Sequence, residues 1–556
     1  MKTYRWRKTA QRPSESGQAL VFLVLALSIV FLGAAALSVD MSNLWFHRQA
    51  AQNAADAACT AGAMDLLVDA QGGATGHQGF VNGTAFNCTA GSAAIPCQYA
   101  AKNGYNSSGA GNLVSVSFPT TVTGVPTGTV PPAGLAPTAF INVVVSDDVQ
   151  TYFSALLTGN RTQTVRASAA CGVVSVPTPI PILVLDPHNP VVTPPQKALD
   201  IQGTPTIKIV GGPSQSIQVN SDSTTAINIG GSATIDLTKG GNNFDGSSLG
   251  TYVGPTTAPS GFVTAGGGKW MVPSPPIADP FAQIAAPAVP PDPASATPLC
   301  NAAKIRANNC KVAYHDAIHG CPDASGCTLF TAGYYPNGIS VKSETAIFDP
   351  GVYYVNNGLK LDSNSMVRPG TGPGSFGGTF FYLTGNTVNC SGQTGVVCVK
   401  SNSGSKSIDP FTTSTVQCPG GPPPDARLNL PATLAGNVLL APCTGTYGDP
   451  TGNYRGILFF QDRASGGGGG WGGGGGFLLA GSMYFHHCNA TGTGVSCGAN
   501  PTYYDSIFTL QGNSGSASYV LGNIITDNLA MGGTPTINMA LNPNATYNTL
   551  KATLLR

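Results

Sequence analysis

The chain has 556 residues, with 26 Lys and Arg against 25 Asp and Glu, and only 9% of it is charged, far below the quarter usual for a soluble globular protein. That balance leaves no basic footprint for nucleic acid, and the length allows two or three domains. With 72 Gly and 43 Pro the surface must be built from Ser, Thr, Asn and backbone, yet Ile, Val, Leu, Phe and Tyr recur at alternate positions, which argues against general disorder and predicts a mainly β fold.

Residues 1–16 form a basic tail, Lys2, Arg5, Arg7, Lys8 and Arg12 against Glu15; beyond it 21 basic residues face 24 acidic ones. From Ala19 to Val39 no charge occurs for 21 positions, about 31 Å of helix, the depth of one bilayer hydrocarbon core. A single transmembrane helix over 17–39 is predicted. The positive-inside bias puts its N-terminus in the cytoplasm and the bulk of the chain in the periplasm or outside the cell. A cleaved signal peptide would also begin basic and then apolar, but this run exceeds the usual h-region of about 7–15 residues. The next segment, SVDMSNLWFHRQAAQNAADAACTAGAMDLL, continues as helix. There Met41, Leu44, Trp45, Arg48, Ala51, Ala55, Ala58 and Gly62 keep three/four spacing, giving a narrow, small-residue face suited to packing against another chain.

Gly17, Gln18 and Leu20, the apolar span, Asp40 after it, and the string Arg48 to Ala63 with Gln52, Asn53, Ala54, Ala55, Asp56, Ala57 and Ala58 resemble the N-terminal signature of TadE/TadG-like Flp (tight-adherence) pilus-assembly proteins. The resemblance implies a single-pass protein of the bacterial inner membrane whose partners are the membrane and other pilus-assembly proteins. Pilin-like members cut after Gly carry Glu five residues later; that place is Phe22 here, so the resemblance does not extend to processing after Gly17.

Fourteen cysteines lie beyond the span and read as disulfides of an oxidising compartment. Short separations suggest local pairing of Cys88 with Cys97, Cys390 with Cys398, Cys488 with Cys497, and neighbours within Cys300, Cys310, Cys321 and Cys327; Cys59 with Cys171 and Cys418 with Cys443 would be longer pairs, although spacing alone does not give connectivity. After a polar stretch, 113–122, 140–149 and 163–176 alternate as strands. Residues 40–176 therefore read as an Ala-rich helix and a small α+β head, which resembles that of the same pilin-like family.

Residues 177–198 read as a Pro-rich linker. Within it ILVLDPHNPVV could open a metal-binding von Willebrand type A domain, but Asp186 is followed by Pro187, His188, Asn189 and Pro190 rather than by the two hydroxyls such a site needs. Residues 199–545 alternate in short segments punctuated by Gly, Asn and Ser, which predicts a β-solenoid resembling a parallel β-helix. Gly203-Thr204-Pro205-Thr206-Ile207 recurs as Gly533-Thr534-Pro535-Thr536-Ile537, suggesting related rungs at the two ends. Two breaks are expected: a Pro-rich insertion at 271–298, crossing the surface as extended chain, and a Gly-rich flexible loop at 466–476.

Chemistry is sparse. Cys310, His315, His319 and Cys321 could bind zinc if His315 and His319 shared a helix face, but an oxidising compartment favours disulfides. His486 and His487, adjacent on a strand, would point apart. A polysaccharide-cleaving β-helix would need two carboxylates on one groove; Asp349, Asp362, Asp462, Asp505 and Asp527 are scattered and suit Asx turns. Tyr353, Tyr354, Tyr503 and Tyr504, read as exposed, could hold surface glycans. No catalytic, cofactor or metal residues are assigned. The expected function is a non-enzymatic, membrane-anchored envelope protein of Flp-type pilus assembly or surface adhesion, with a polysaccharide-binding or polysaccharide-cleaving β-helix protein as the alternative.

Overall fold

The computed structural model describes all residues except 1–15, 71–78, 108–110, 124–137, 177–179, 189–196, 283, 297–298, 373–377, 386, 391–392, 402–406, 417–425, 443–453, 474–475, 488–503, 513–516, 542–548 and 556. The chain divides into two compact units: one holds the N-terminal 70 residues, 74–175 and 550–556, the other essentially 176–549. The mainly β expectation holds: among the described residues, regular structure outside one long helix is dominated by strands, most of them parallel.

In the first unit, helix α1 (Ser16–Ala70) runs unbroken from the apolar span into the Ala-rich segment. Its side chains Leu20–Leu25, Leu27 and Ile29–Leu32 are exposed, whereas Ala51, Ala54, Ala55, Ala58, Cys59, Ala63 and Leu66 are fully buried. The helix packs on an antiparallel sheet built from β1 (Phe86–Asn87), β2 (Leu113–Ser117), β3 (Phe140–Gln150) and β4 (Thr162–Val176) and on α2 (Ile95–Lys102), with the short α3 (Ser154–Thr158) between β3 and β4. Alternation along β3 puts Ile141, Val143 and Val145 into the core. The fifth strand, Thr549–Leu554, comes from the far end of the sequence and pairs with the free side of β4. The head is thus not confined to 40–176.

The second unit is built from parallel sheets that the chain visits in rotation. From Ile182–Val184 in a ten-stranded sheet it passes to Leu199–Ile201 in an eight-stranded one and Thr206–Gly211 in a seven-stranded one, then returns to the first at Gln215–Val219. Equivalent inward side chains stack: Ile182 on Ile217, Leu199 on Ile227, Ile207 on Ile235, all 5% exposed or less. The first strand of this unit lies inside the stretch 177–198 that reads as a linker, so the apolar ILVL is ladder, not connection.

The winding starts in the middle. The N-terminal turns proceed outward to Trp270–Met271 at one edge of the ten-stranded sheet; the chain then resumes at the opposite edge, Gly333–Tyr335, and winds back through Gly351–Asn356, Thr379–Thr384, Ile457–Gln461 and Ser482–Phe485 to Ile524–Thr526, which docks on Ile182–Val184. The repeated GTPTI segments therefore are not opposite ends. They are paired neighbours, with Thr536 beside Thr206 and Ile537 beside Ile207, because identical side chains suit adjacent positions of one ladder.

The Pro-rich segment bridges the jump. Ten strands about 4.8 Å apart span about 43 Å, within reach of some 20 extended residues. Proline lacks an N–H, so this strap can cross strands without competing for the ladder. It is held by Ile277 to Asn220 (2.6 and 2.9 Å), by Tyr454 to the Ala285 carbonyl (2.8 Å) and by the Tyr334 amide to the Pro291 carbonyl (3.0 Å). Phe281 is fully buried against Phe460 and Tyr484. Covering the outer face explains why TFFYLT and ILFFQ are apolar at successive positions: Phe381 and Phe459 point into the inner core, Phe380 and Phe460 beneath the strap.

The Gly-rich run is not a loop throughout. Gly469–Gly473 is a strand between Val397–Ser401 and Ile507–Gly512. Parallel neighbours on both sides supply the hydrogen bonds glycine cannot organise alone, and a Cβ on Gly469 would meet the Phe485 ring at 2.8 Å. Trp471 fills the space, 1% exposed, among Phe459, Phe485 and Phe508.

Candidate functional site

Gly17 and Gln18 lie in the first turn of α1. Asp40, the first charge after the apolar run, is 1% exposed and accepts the amides of Tyr152, Phe153 and Ser154 at 3.1, 2.8 and 2.6 Å. It fastens the β3–β4 tip to the helix. Farther along, Asn43 donates to the Gln150 carbonyl (3.3 Å), His47 Nδ1 meets Asp147 (2.8 Å), and Gln52 donates to Asp56 (2.7 Å) and to the Ser168 carbonyl (3.2 Å). Asn53 is exposed and Ala57 half-buried.

Ala54, Ala55 and Ala58 are enclosed, and the expectation that this small-residue face packs against another chain is corrected. It lies against the protein's own head. A Cβ on Gly62 would stand 2.6 Å from Ile141 Cδ1 and 2.9 Å from Pro96 Cγ, so small residues here answer to a close approach by β3 and α2. The Cys59–Cys171 disulfide bonds helix to β4 at the same level.

Cys88 is bonded to Cys97, Cys300 to Cys310 and Cys321 to Cys327, and Cys398 is also disulfide-bonded. Cys390 lies in the short strand Val388–Cys390; Cys418, Cys443, Cys488 and Cys497 lie outside the described residues. With Cys310 and Cys321 in different disulfides, neither thiolate is available to zinc. The helix expected to carry His315 and His319 is also absent: the segment is turn, His315 has φ 54°, and the two rings go separate ways, His315 to Asp409 (2.5 Å) and His319 to Asp349 (2.7 Å). Among the described residues no group of three or more His, Cys, Asp or Glu is arranged to hold a metal ion.

The five scattered aspartates split into two kinds. Asp362 and Asp462 serve turns, accepting the amides of Ser363 (2.7 Å) and Ala464 (3.0 Å). Asp349 and Asp527 do not fit the Asx-turn expectation. They are buried partners of His319 and His486, because turns far apart in sequence bring an acid and an imidazole onto adjoining rungs. Asp505 pairs with His487 (2.6 Å). Asp527 also accepts the amides of His487 (2.9 Å) and Ser506 (3.1 Å), and next to it Asp186, 1% exposed, accepts the His188 amide at 2.9 Å. Burial, with the Asp527 charge adding to it, pushes the Asp186 carboxyl up to about 7.

Arg463 continues this polar seam to the strap. Its Nε donates to the Tyr484 hydroxyl (2.8 Å), which reaches Asp279 (2.6 Å), while its remaining nitrogens hold the carbonyls of Phe281 and Ile284. Sequence reasoning weighed Asp186 only as a metal ligand and missed Asp279 and Arg463. Arg463, Tyr484 and Asp279 are enclosed and mutually paired, and they lock the strap, while Asp186 and Asp527 lie side by side at the join between the two windings. Tyr353, read as exposed, is buried, its hydroxyl on the Asp349 carbonyl (2.6 Å). Tyr354 and Tyr504 are half-buried, and Tyr503 lies outside the described residues.

Among the described residues, α1 alone is long and apolar enough to cross a membrane, its most apolar window having a mean hydropathy of 2.9 with none of it buried. No curated protein matches the sequence. Among solved structures, the crystal structure of the competence-associated pilin ComZ from Thermus thermophilus is similar at 9% identity over 80% of this chain and 85% of that one, with a TM-score of 0.17, too slight to bear on the fold. The family model for Flp pilus-assembly TadE/G-like proteins matches residues 17–65. Those residues are the apolar span, Asp40 and the whole Ala-rich face, so the similarity to TadE/G-like Flp pilus-assembly proteins lies in the N-terminal helix.

Proposed function

We propose that the protein is a non-enzymatic, single-pass component of Flp-type pilus assembly in a bacterial inner membrane, its N-terminus cytoplasmic and its parallel-sheet unit a β-solenoid on the outer side. The observation that carries this is a coincidence of position: the residues matching the pilus-assembly family, 17–65, are the ones that leave Leu20–Val39 bare and then seat the head through Asp40, the Ala face and Cys59. The five basic residues before the span supply the orientation, and the disulfides suit an oxidising compartment.

Because the Ala face is occupied within the chain, association with other pilus-assembly proteins falls to the exposed surfaces of the helix and head. A surface role for the outer unit, adhesion or glycan contact, is the secondary reading, supported by its half-exposed tyrosines Tyr334 and Tyr354, which meet edge to face at 5.6 Å. The deciding experiment is deletion of the gene in its host, complemented by the full chain or by a form in which 180–545 is excised, scored for surface pili by microscopy. Loss of pili that the full chain restores supports the assembly role. Normal pili after deletion would refute it, and normal pili with lost adhesion would move the function to the outer unit.

A further inference from the structure

The β3–β4 hairpin lies along α1 in a fixed register, and its tip comes down to the end of the apolar span. Contacts descend in order: Cys171 at Cys59, Ser168 at Gln52, Asp147 at His47, Gln150 at Asn43, and the amides of Tyr152, Phe153 and Ser154 at Asp40. Asp40 immediately follows the charge-free run that ends at Val39. The tip is therefore level with the hydrocarbon boundary of any bilayer this helix crosses.

The side chains at that level have the composition of a membrane interface. Tyr152 is 64% exposed and Phe153 44%, and on the helix Met41, Trp45 and Phe46 are 61–65% exposed. Trp45 stands about 8 Å along the axis from Asp40, within an interfacial layer roughly 5–8 Å deep on each side of the hydrocarbon. Aromatic side chains favour that layer, where a ring is half in lipid and half in water. The one carboxylate at the boundary, Asp40, is enclosed and satisfied by three amides, so it meets the lipid as no bare anion; the exposed charge at the tip is a cation, Arg161, which closes the tip through its carbonyl to the Thr151 amide (2.9 Å) and suits anionic headgroups.

We propose that the tip of the β3–β4 hairpin, through Tyr152 and Phe153, rests in the headgroup layer of the membrane and makes, with Trp45 and Phe46, an aromatic collar that seats the head on the bilayer surface. The partner is lipid. Continuity with the span commits the surface to it, and the inference rests on 20–39 crossing the membrane.

The test uses the full chain reconstituted in phosphatidylethanolamine/phosphatidylglycerol vesicles, with a nitroxide label on Phe153→Cys, on Tyr152→Cys, or on Asn103→Cys, an exposed head residue after α2. Accessibility to oxygen and to a water-soluble nickel chelate is compared, and alkaline extraction reads membrane insertion separately. The collar requires the ratio of oxygen to chelate accessibility at 152 and 153 to exceed that at 103 several-fold. Ratios equal to that at 103 in a chain that resists extraction overturn it, while leaving the span intact. Labels shielded from both reagents would show protein contact at the tip and overturn it as well. Extraction of the chain by alkali would instead remove the span and the proposal with it. Retention of the Cys59–Cys171 bond on a non-reducing peptide map verifies that each labelled variant has folded.

Discussion

Replacing Cys59 and Cys171 together by Ala separates what the long disulfide contributes from what the Ala packing contributes. The bond joins residues 112 apart, against 9 for Cys88–Cys97. In the chain-entropy account, closing those loops restricts the unfolded ensemble by about 4.8 and about 2.6 kcal/mol respectively at 25 °C. With a urea dependence near 2 kcal/mol per molar, the midpoint for the head should fall by about 2.4 M in the long-pair variant and about 1.3 M in the Cys88→Ala, Cys97→Ala variant. Both variants lose two buried sulfurs, so that loss cancels in the comparison. Hydrogen exchange of the β3 amides, followed by mass spectrometry across a urea series on the full chain in detergent, reads the head without interference from the outer unit. Equal shifts in the two variants, or a shift below about 0.5 M for the long pair, would show that side-chain packing alone holds the helix to β4 and would refute the loop-closure reasoning.

The two helical glycines should respond oppositely to a methyl group: Gly33 has nothing within 4 Å of a built Cβ, whereas Gly62 meets Ile141 and Pro96 below 3 Å. Gly33→Ala is expected to leave the head unchanged in the same exchange assay and Gly62→Ala to destabilise it, overpacking of about 1–3 kcal/mol outweighing about 1 kcal/mol of helix propensity. Trp471→Ala should cost the outer unit about 3–5 kcal/mol, measured by urea unfolding; a loss under about 1 kcal/mol would mean the glycine strand is not a packed rung. Asp186 binds its proton more tightly folded than unfolded, at about 7 in the folded chain against an ordinary 3.8, so its contribution is fully present below pH 4 and is lost as pH rises toward 7. A difference of that size corresponds to roughly 4 kcal/mol. The urea midpoint of the outer unit should accordingly drop more between pH 5 and 8 in the wild type than in Asp186→Asn, and parallel profiles would count against this assignment.

The features legible in the sequence are those whose signal is local. A charge-free run of bilayer length, alternation along β3 and β4, and nearby cysteines such as Cys321 and Cys327 each announce themselves within a few dozen residues. Partnership across the fold does not. Small residues at Ala55, Ala58 and Gly62 signal a close approach but not whose surface approaches, and here it is β3 and α2 of the same chain. His319 and Asp349 are 30 residues apart, His486 and Asp527 41; each pair exists only because winding returns the chain to an adjoining rung. The Gly-rich run reads as a loop because glycine propensity is a backbone argument, and the neighbouring strands and the room needed by Trp471 and Phe485 override it. The repeat of GTPTI is visible in the sequence, but pattern alone cannot distinguish first and last turns from turns that meet.

A ladder that starts in its middle leaves open strands at both limits, and exposed strand edges invite pairing with other chains. Several features of the sequence that carry no chemistry fall at these limits. The ten-stranded sheet ends at Trp270–Met271, which leads directly into the strap, and at Gly333–Tyr335, where the strap arrives with the Pro291 carbonyl on the Tyr334 amide and the Ala294 amide on the Ala332 carbonyl. Where winding resumes, the antiparallel strand Lys311–Val312 lies along Cys327–Phe330, and Cys300–Cys310 and Cys321–Cys327 staple the segment around it. In the head, β4 would present one long free side until the last residues of the chain, Thr549–Leu554, pair with it. Proline run, cysteine cluster and C-terminal tail are unrelated in composition but alike in physical effect, since each covers an edge that a chain only 9% charged has few lysines and glutamates to protect.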